Sequence, residues 1–289
     1  MPTVGLVSAG FMGSGLGAAL RAGGVRVVTT LEGRSARTAR LAAGAGLDVL
    51  PTLGEVVAAA DIVLSVTPPG AAVETARAIG TAANRAGRDG LIVADLNAVS
   101  PATVARVAGA LAGARVVDGS ISGPPPSVRP GARLYLSGPA AAAVAELPWN
   151  GNVEPVVLGD ELGAASALKM CTGSVYKGLT ALVTQALRTA GAHGVLEAVL
   201  ADLDRNGLAD TAGVARSATK AHRFVDEMRE VAATQRAAGL TPELFDAVAD
   251  VYADVARTEL ARADPENDRD LTPAEIVAAL DSGASRPPA

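Results

Sequence analysis

Residues 3–13 read TVGLVSAGFMG: an apolar run from Thr3 to Val7, a small-residue turn through Ser8, Ala9 and Gly10, and then Phe11-Met12-Gly13 at the head of a helical pattern. That pattern runs to Arg21 and stops at Gly23-Gly24, a glycine stop typical of a helix C-terminus. A first strand that turns through glycines into a helix is where a parallel α/β sheet brings backbone N–H groups close to a phosphate. The stretch fits G-x-G-x-x-G with Ser8 in place of the first glycine. Ala9, Gly10, Phe11, Met12 and Gly13 are therefore candidate dinucleotide-binding residues. The letters alone are a weak signal, and the place after the first strand gives them weight.

Outward from this turn, strand and helix patterns alternate. Val25–Thr30, Asp61–Val66, Leu91–Asp95 and Ala114–Asp118 are short apolar runs. Ser35–Ala43, Ala71–Ala86 and Pro101–Leu111 have helical spacing, the last with Ser100 as N-cap and Pro101 at its first position. The runs do not alternate polar with apolar, as expected of strands buried on both faces. The prediction is an α/β Rossmann-type doubly wound parallel sheet. After Ile121 comes a loop, SGPPPSVRPG, then short strands at Arg133–Ser137 and Pro155–Leu158. Helix signals take over from Gly159. Thr241-Pro242-Glu243 and Thr272-Pro273-Ala274-Glu275 read as two helix caps, the second a capping box. The expected organisation is a dinucleotide-binding domain over 1–160, an all-helical domain for substrate and dimerisation over 161–281, and a flexible tail over 282–289.

Composition narrows the function. With 49 % apolar, 19 % charged and only 2 % aromatic residues, the core must be packed from Ala, Val and Leu. The net charge of −5 leaves no basic surplus for nucleic acid. A single cysteine, Cys171, fits a reducing cytoplasm and is expected to be a small buried filler; with His193 and His222 scattered, no metal site is expected. The start of the chain has no positively charged n-region and does not read as a signal peptide. Leu162–Leu187 is apolar but contains Lys169 and Lys177, so a buried central helix is expected there and not a membrane span.

The later loops extend the nucleotide reading. Glu32, just after the second strand, suits the ribose hydroxyls of NAD, whereas Arg34, Ser35 and Arg37 suit the additional phosphate of NADP. Three polar or basic groups against one acid favour NADP, with NAD as the alternative. Val66, Thr67 and Pro68 close the next strand, and Asn97 follows the one after, placed to offer an amide near the nicotinamide end.

Several pieces together resemble the β-hydroxyacid dehydrogenase superfamily, the relatives of 6-phosphogluconate dehydrogenase. Gly10-Phe11-Met12-Gly13 matches the G-x-G-x-M-G loop, with Ser8 departing from it. Asp118-Gly119-Ser120-Ile121-Ser122-Gly123 matches the D-x-x-x-S-G-G substrate loop, with Pro124 departing. The run from Leu162 to Lys169 keeps the lysine of the catalytic helix, while Thr172 and Gly173 stand where two amide side chains occur in the family. The segment Arg223-Phe224-Val225-Asp226-Glu227-Met228 looks like a bacterial subgroup with a distinct, phosphogluconate-dehydrogenase-like C-terminal helical domain. The resemblance implies hydride transfer on a small substrate, with Lys169 as general acid/base and with Ser122 and Gly123 holding a carboxylate or carbonyl. Because of the departures, neither sugar-acid nor simple 3-hydroxy-acid activity follows from it.

The residues around Lys169 are consistent with that chemistry. Thr172, Gly173 and Tyr176 follow at i+3, i+4 and i+7 and share its face, with Lys177 one position round. A lysine among apolar and small neighbours loses hydration, which lowers its pKa from about 10.4 toward neutrality and makes it a usable acid/base. Tyr176 is either a second phenolic donor or an amphipathic core tyrosine. Arg223 either contacts an anionic substrate group or pairs with Glu227 one turn on. The leading expectation is an NADP-dependent oxidoreductase acting on a small carbonyl, hydroxy-acid or imine substrate. The alternatives are a methyltransferase using the glycine loop for S-adenosylmethionine and a non-catalytic dinucleotide sensor. An Ala-rich apolar surface in the helical half predicts a homodimer.

Overall fold

In the computed structural model the described residues are 2–262 and 270–282. The chain divides into two compact units, Met1–Met170 and Cys171–Ala289. The division falls inside a long helix, later than the boundary expected near residue 160. Residues 283–289 of the expected tail lie outside the described residues.

The first unit contains β1 (Thr3–Val7), α1 (Phe11–Ala22), β2 (Arg26–Thr30), α2 (Ala36–Gly44), β3 (Asp48–Leu50), α3 (Leu53–Ala59), β4 (Ile62–Ser65), α4 (Ala72–Arg85), β5 (Ile92–Asp95), α5 (Pro101–Ala110), β6 (Arg115–Ser122), β7 (Ala132–Ser137), α6 (Ala141–Ala145) and β8 (Val153–Val157). The strands form one sheet in the order β3-β2-β1-β4-β5-β6-β7-β8. Every pairing is parallel except β6 with β7. One layer of core gathers Leu6, Leu16, Leu20, Leu64 and Leu136; the other gathers Val63, Ile79, Val93, Val104 and Leu111. Burial on both faces explains the unbroken apolar runs. The sequence reading lacks β3, α3 and α6, which have three, seven and five residues and too few turns to show a period. It also ends the sixth strand at Asp118, whereas β6 continues to Ser122 because β7 pairs back along it.

The helix α7 (Ala164–Ala192) begins in the first unit. The second unit adds α8 (Leu196–Asp204), α9 (Thr211–Ala218), α10 (Ala221–Ala237), α11 (Glu243–Val255) and α12 (Pro273–Asp281). Its core includes Leu187, Met228, Val231, Tyr252 and Leu280. The Thr272 capping box forms. The expected Thr241 cap does not: Pro242 stands at the N-cap of α11 in helical conformation, with no side-chain cap. The expectation of a buried central helix holds for part of α7 only, because Val175, Tyr176, Leu179 and Leu182 form an exposed stripe. Cys171 is exposed too, and is no core filler. Among the described residues no helix is long and apolar enough to cross a membrane.

Candidate nucleotide and proton-transfer site

The glycine turn lies where β1 enters α1. Ser8 has φ +75°, so the residue in place of the first glycine keeps a left-handed backbone despite its side chain. Gly13 permits the tightest approach: a Cβ there would lie 2.2 Å from the Ser8 carbonyl oxygen. Gly10 is the N-cap of α1 and no side chain caps it, so the first-turn N–H groups of Phe11, Met12 and Gly13 have no side-chain cap. Ala9 is buried beneath the turn. This cradle fits a pyrophosphate.

The neighbouring strand ends complete the edge. After β2, Glu32 and Arg34 are exposed. Ser35 is the N-cap of α2, its hydroxyl accepting from the Thr38 N–H. The Arg37 guanidinium lies 6.0 Å from the centre of the Phe11 ring, so a cation in the first turn of α2 reaches the start of α1. Val66, Thr67 and Pro68 follow β4. Asn97 is 2 % exposed, and its amide is engaged inside the protein. Its Oδ1 accepts from the Thr67 N–H (2.5 Å), while its Nδ2 donates to Asp95 and to Ser65 Oγ (3.4 Å). Asn97 thus ties the β4 and β5 loops together.

One rung of the sheet is polar. Ser65, Asp95, Asp118 and Ser137 are cross-strand partners in β4, β5, β6 and β7, and all four are buried. Burial and then the adjacent Asp118 charge push the Asp95 carboxyl up to about 7. Asp118 receives four donors. Its Oδ2 accepts from Ser137 Oγ (3.1 Å), the Gly163 N–H (3.0 Å) and the Ser166 N–H (3.0 Å); its Oδ1 accepts from Ser166 Oγ (2.6 Å). A carboxylate facing the first N–H groups of α7 satisfies them and complements the helix dipole. Ser120 Oγ donates to the Ala165 carbonyl (2.8 Å), and the Ala165 N–H donates to Ser137 Oγ (3.2 Å).

This clamp sets Lys169. Its Nζ donates to the Ile121 carbonyl oxygen at 2.8 Å, beside Ser122 and Gly123. Ser122 is half-buried and Gly123 exposed. The proline loop beyond them packs on α1: a Cβ on Gly15 would come within 3.1 Å of Pro126 and 3.2 Å of Pro125. The first unit therefore holds the glycine turn, the Arg37 end, the Thr67 loop and Lys169 on the Ile121 carbonyl.

Thr172, Tyr176 and Arg223 belong to the second unit. Thr172 is half-buried, Arg223 exposed and Tyr176 70 % exposed. Lys177, expected beside Lys169, is instead ion-paired with buried Glu227, and its ammonium lies 4.6 Å from the centre of the Phe224 ring. Sequence reasoning assigned no role to Asp95, Ser137 or Ser166. It quoted Asp118 only as part of a motif, although a carboxylate just before a small-residue strand end was the available signal.

Comparison with known proteins identifies the family and the fold. Residues 3–148 match the NAD binding domain of 6-phosphogluconate dehydrogenase, and residues 190–255 match a domain of unknown function, DUF1932. Among solved structures, a conserved protein of unknown function, described as structurally similar to 3-hydroxyacid dehydrogenases, is 29 % identical, with TM-score 0.64 over 88 % of this chain and 96 % of that one. The 3-hydroxyisobutyrate dehydrogenase of Mycobacterium tuberculosis, solved with L-serine, shares the fold at 20 % identity and TM-score 0.69, covering 98 % and 100 %. A reductive aminase from Aspergillus terreus, solved with NADPH and ethyl-5-oxohexanoate, shares it at 18 % and 0.55, covering 92 % and 97 %. The chain belongs to the family of the NAD binding domain of 6-phosphogluconate dehydrogenase.

Proposed function

We propose that the protein is an NADP-dependent oxidoreductase that moves hydride between the nicotinamide and a small carbonyl, hydroxy-acid or imine substrate, with Lys169 as the general acid/base. The observation that carries this reading is the Lys169 ammonium held on the Ile121 carbonyl at 2.8 Å, by a helix whose first turn is fixed on Asp118. When bound, the dinucleotide supplies or takes the hydride. Lys169 Nζ gives its proton to the substrate heteroatom in reduction and takes the hydroxyl proton in oxidation. Ile121 O orients the ammonium, and Ser122 Oγ with the Gly123 N–H would hold a carboxylate or carbonyl. Thr172, Tyr176 and Arg223 remain proposed contributors from the helical domain. Lys169→Ala should lower turnover at least a hundredfold and leave NADPH affinity nearly unchanged. Retained turnover in that variant would remove Lys169 from the mechanism. NADPH binding without turnover by the wild-type protein across a broad substrate panel would favour the sensor reading.

The preference for NADP rests on exposed Arg34 and on Arg37 beside Phe11, against a single acid, Glu32. A structural neighbour, the reductive aminase, was solved with NADPH, which is consistent with it. NADPH should bind at least tenfold more tightly than NADH in a fluorescence titration, and equal affinities would reverse the assignment. Homodimerisation through the helical domain is supported by the exposed Val175, Leu179 and Leu182 and by α8, which has no buried residue.

A further inference from the structure

Asp95 has no part in the steps above, yet its surroundings are unusual for a carboxylate. It is 2 % exposed, and its Oδ2 is buried without a hydrogen-bond partner among the described residues. Its Oδ1 accepts from Asn97 Nδ2. The orientation of that amide follows from chemistry: the Thr67 N–H can only donate, so Oδ1 of Asn97 must face it, and Nδ2 must face Asp95. Two side chains thus form a tether, carboxylate to amide to backbone, that ends on the middle residue of the Val66–Thr67–Pro68 loop. The Thr67 hydroxyl is also buried without a partner, so the tether, and not the Thr67 side chain, holds the loop.

We infer that Asp95 is a positioning residue of the nucleotide site, acting through Asn97 to fix the backbone of the Thr67 loop against the bound dinucleotide. The inference rests on the nucleotide-binding reading above. Asp95 touches neither substrate nor cofactor in this role. It sets the amide, and the amide sets the loop. An ionised Asp95 is the stronger acceptor for Asn97 Nδ2, so the tether tightens as Asp95 loses its proton. The charged group that acts on Asp95 is Asp118 on β6; Ser65 on β4 and Asn97 in its own loop are neutral. Burial and the Asp118 charge bring the Asp95 proton into the neutral range, so the tether responds between pH 6 and 8.

The test uses the full-length wild-type protein, Asn97→Ala and the isosteric Asp95→Asn, with NADPH and NADH titrated by fluorescence and hydrogen exchange read at the Thr67 amide. Asn97→Ala should speed Thr67 exchange at least tenfold and weaken binding of the preferred dinucleotide by a similar factor. Asp95→Asn should fold, match the wild-type dissociation constant at pH 6, and bind at least threefold more weakly than wild type at pH 8. Faster Thr67 exchange with unchanged binding in Asn97→Ala would overturn the inference, and so would identical pH profiles for wild type and Asp95→Asn. A wild-type protein that binds neither NADPH nor NADH would overturn the nucleotide reading itself and this inference with it. Wild-type binding that Asn97→Ala leaves intact would overturn the inference alone.

Discussion

The two units differ in what they bury: the sheet unit has surface ion pairs too, such as Arg26–Asp48 and Arg133–Glu154, but adds a buried polar network. In the sheet unit, Ser65, Asp95, Asn97, Asp118, Ser137 and Ser166 are all buried and joined to one another or to backbone. In the helical unit many ion pairs stand at the surface, as Arg205–Asp202 and Arg229–Asp226 do, while apolar Val175 and Leu182 are exposed. The buried network fixes atoms to within a hydrogen-bond length, which a proton-transfer site needs. Surface pairs fix little. The sheet unit therefore carries geometry, and the exceptions inside the helical unit, the Lys177–Glu227 pair and the Arg188–Asp254 pair, mark where that unit also fixes its shape.

The largest effect should come from Asp118. Asp118→Ala leaves four buried donors without an acceptor and uncaps α7, at a cost of about 5 kcal/mol. Denaturant unfolding would measure it. A loss below about 1 kcal/mol would show that α7 is held by packing alone, and the contrast between the units would weaken.

The next effect depends on pH. The Asp95 carboxyl has its ordinary value near 3.8 when unfolded and about 7 when folded, so the folded chain binds the proton more tightly. Its stabilising contribution is complete below pH 4 and is lost as pH rises through 7. Between pH 4 and pH 8 the wild-type protein should lose stability on the order of 4 kcal/mol relative to Asp95→Asn. Parallel Tm profiles for the two proteins would contradict this.

These two carboxylates also show how far the sequence could be read. The glycine turn, the alternation of strands and helices and the Ser100 cap are local signals, each complete within a dozen residues, and each was visible. The site lysine was visible because lysine is scarce: only Lys169, Lys177 and Lys220 occur. The polar rung was not visible. Asp95 and Asp118 meet only because β5 and β6 lie side by side in register, and Asp118 reaches Gly163 and Ser166 across more than forty residues. Non-local pairing of this kind leaves no periodic trace. Asn97 looked like a free amide at a strand end because the Thr67 N–H that occupies it comes from another loop. The stripe Val175, Leu179 and Leu182 has the same spacing whether a helix face is buried or bare, so the sequence could not separate the two.

Within the helical unit, Lys177→Met should cost about 3 kcal/mol, because it leaves the Glu227 carboxylate buried without its cation. The pair is more than four-fifths buried on the lysine side and more so on the glutamate side. Adding Glu227→Leu to Lys177→Met should recover much of the loss, since an apolar pair of similar volume needs no compensation. A double-mutant cycle measures this directly. If the two single losses simply add, the pair is as weak as its surface counterparts.

The smallest effect on stability should come from Leu182→Ser. This side chain is 63 % exposed, so in an isolated chain its replacement should alter unfolding free energy by no more than about 0.5 kcal/mol. In a homodimer joined through the α7 stripe the same change removes buried apolar contact and should shift the mass found by light scattering toward the 28.7 kDa of one chain, in a concentration-dependent way. The two readouts separate a bare helix face from a covered one. A wild-type mass near one chain at micromolar concentration would leave the exposed stripe as a true surface, and the difference between the units would then extend to their apolar residues as well as their polar ones.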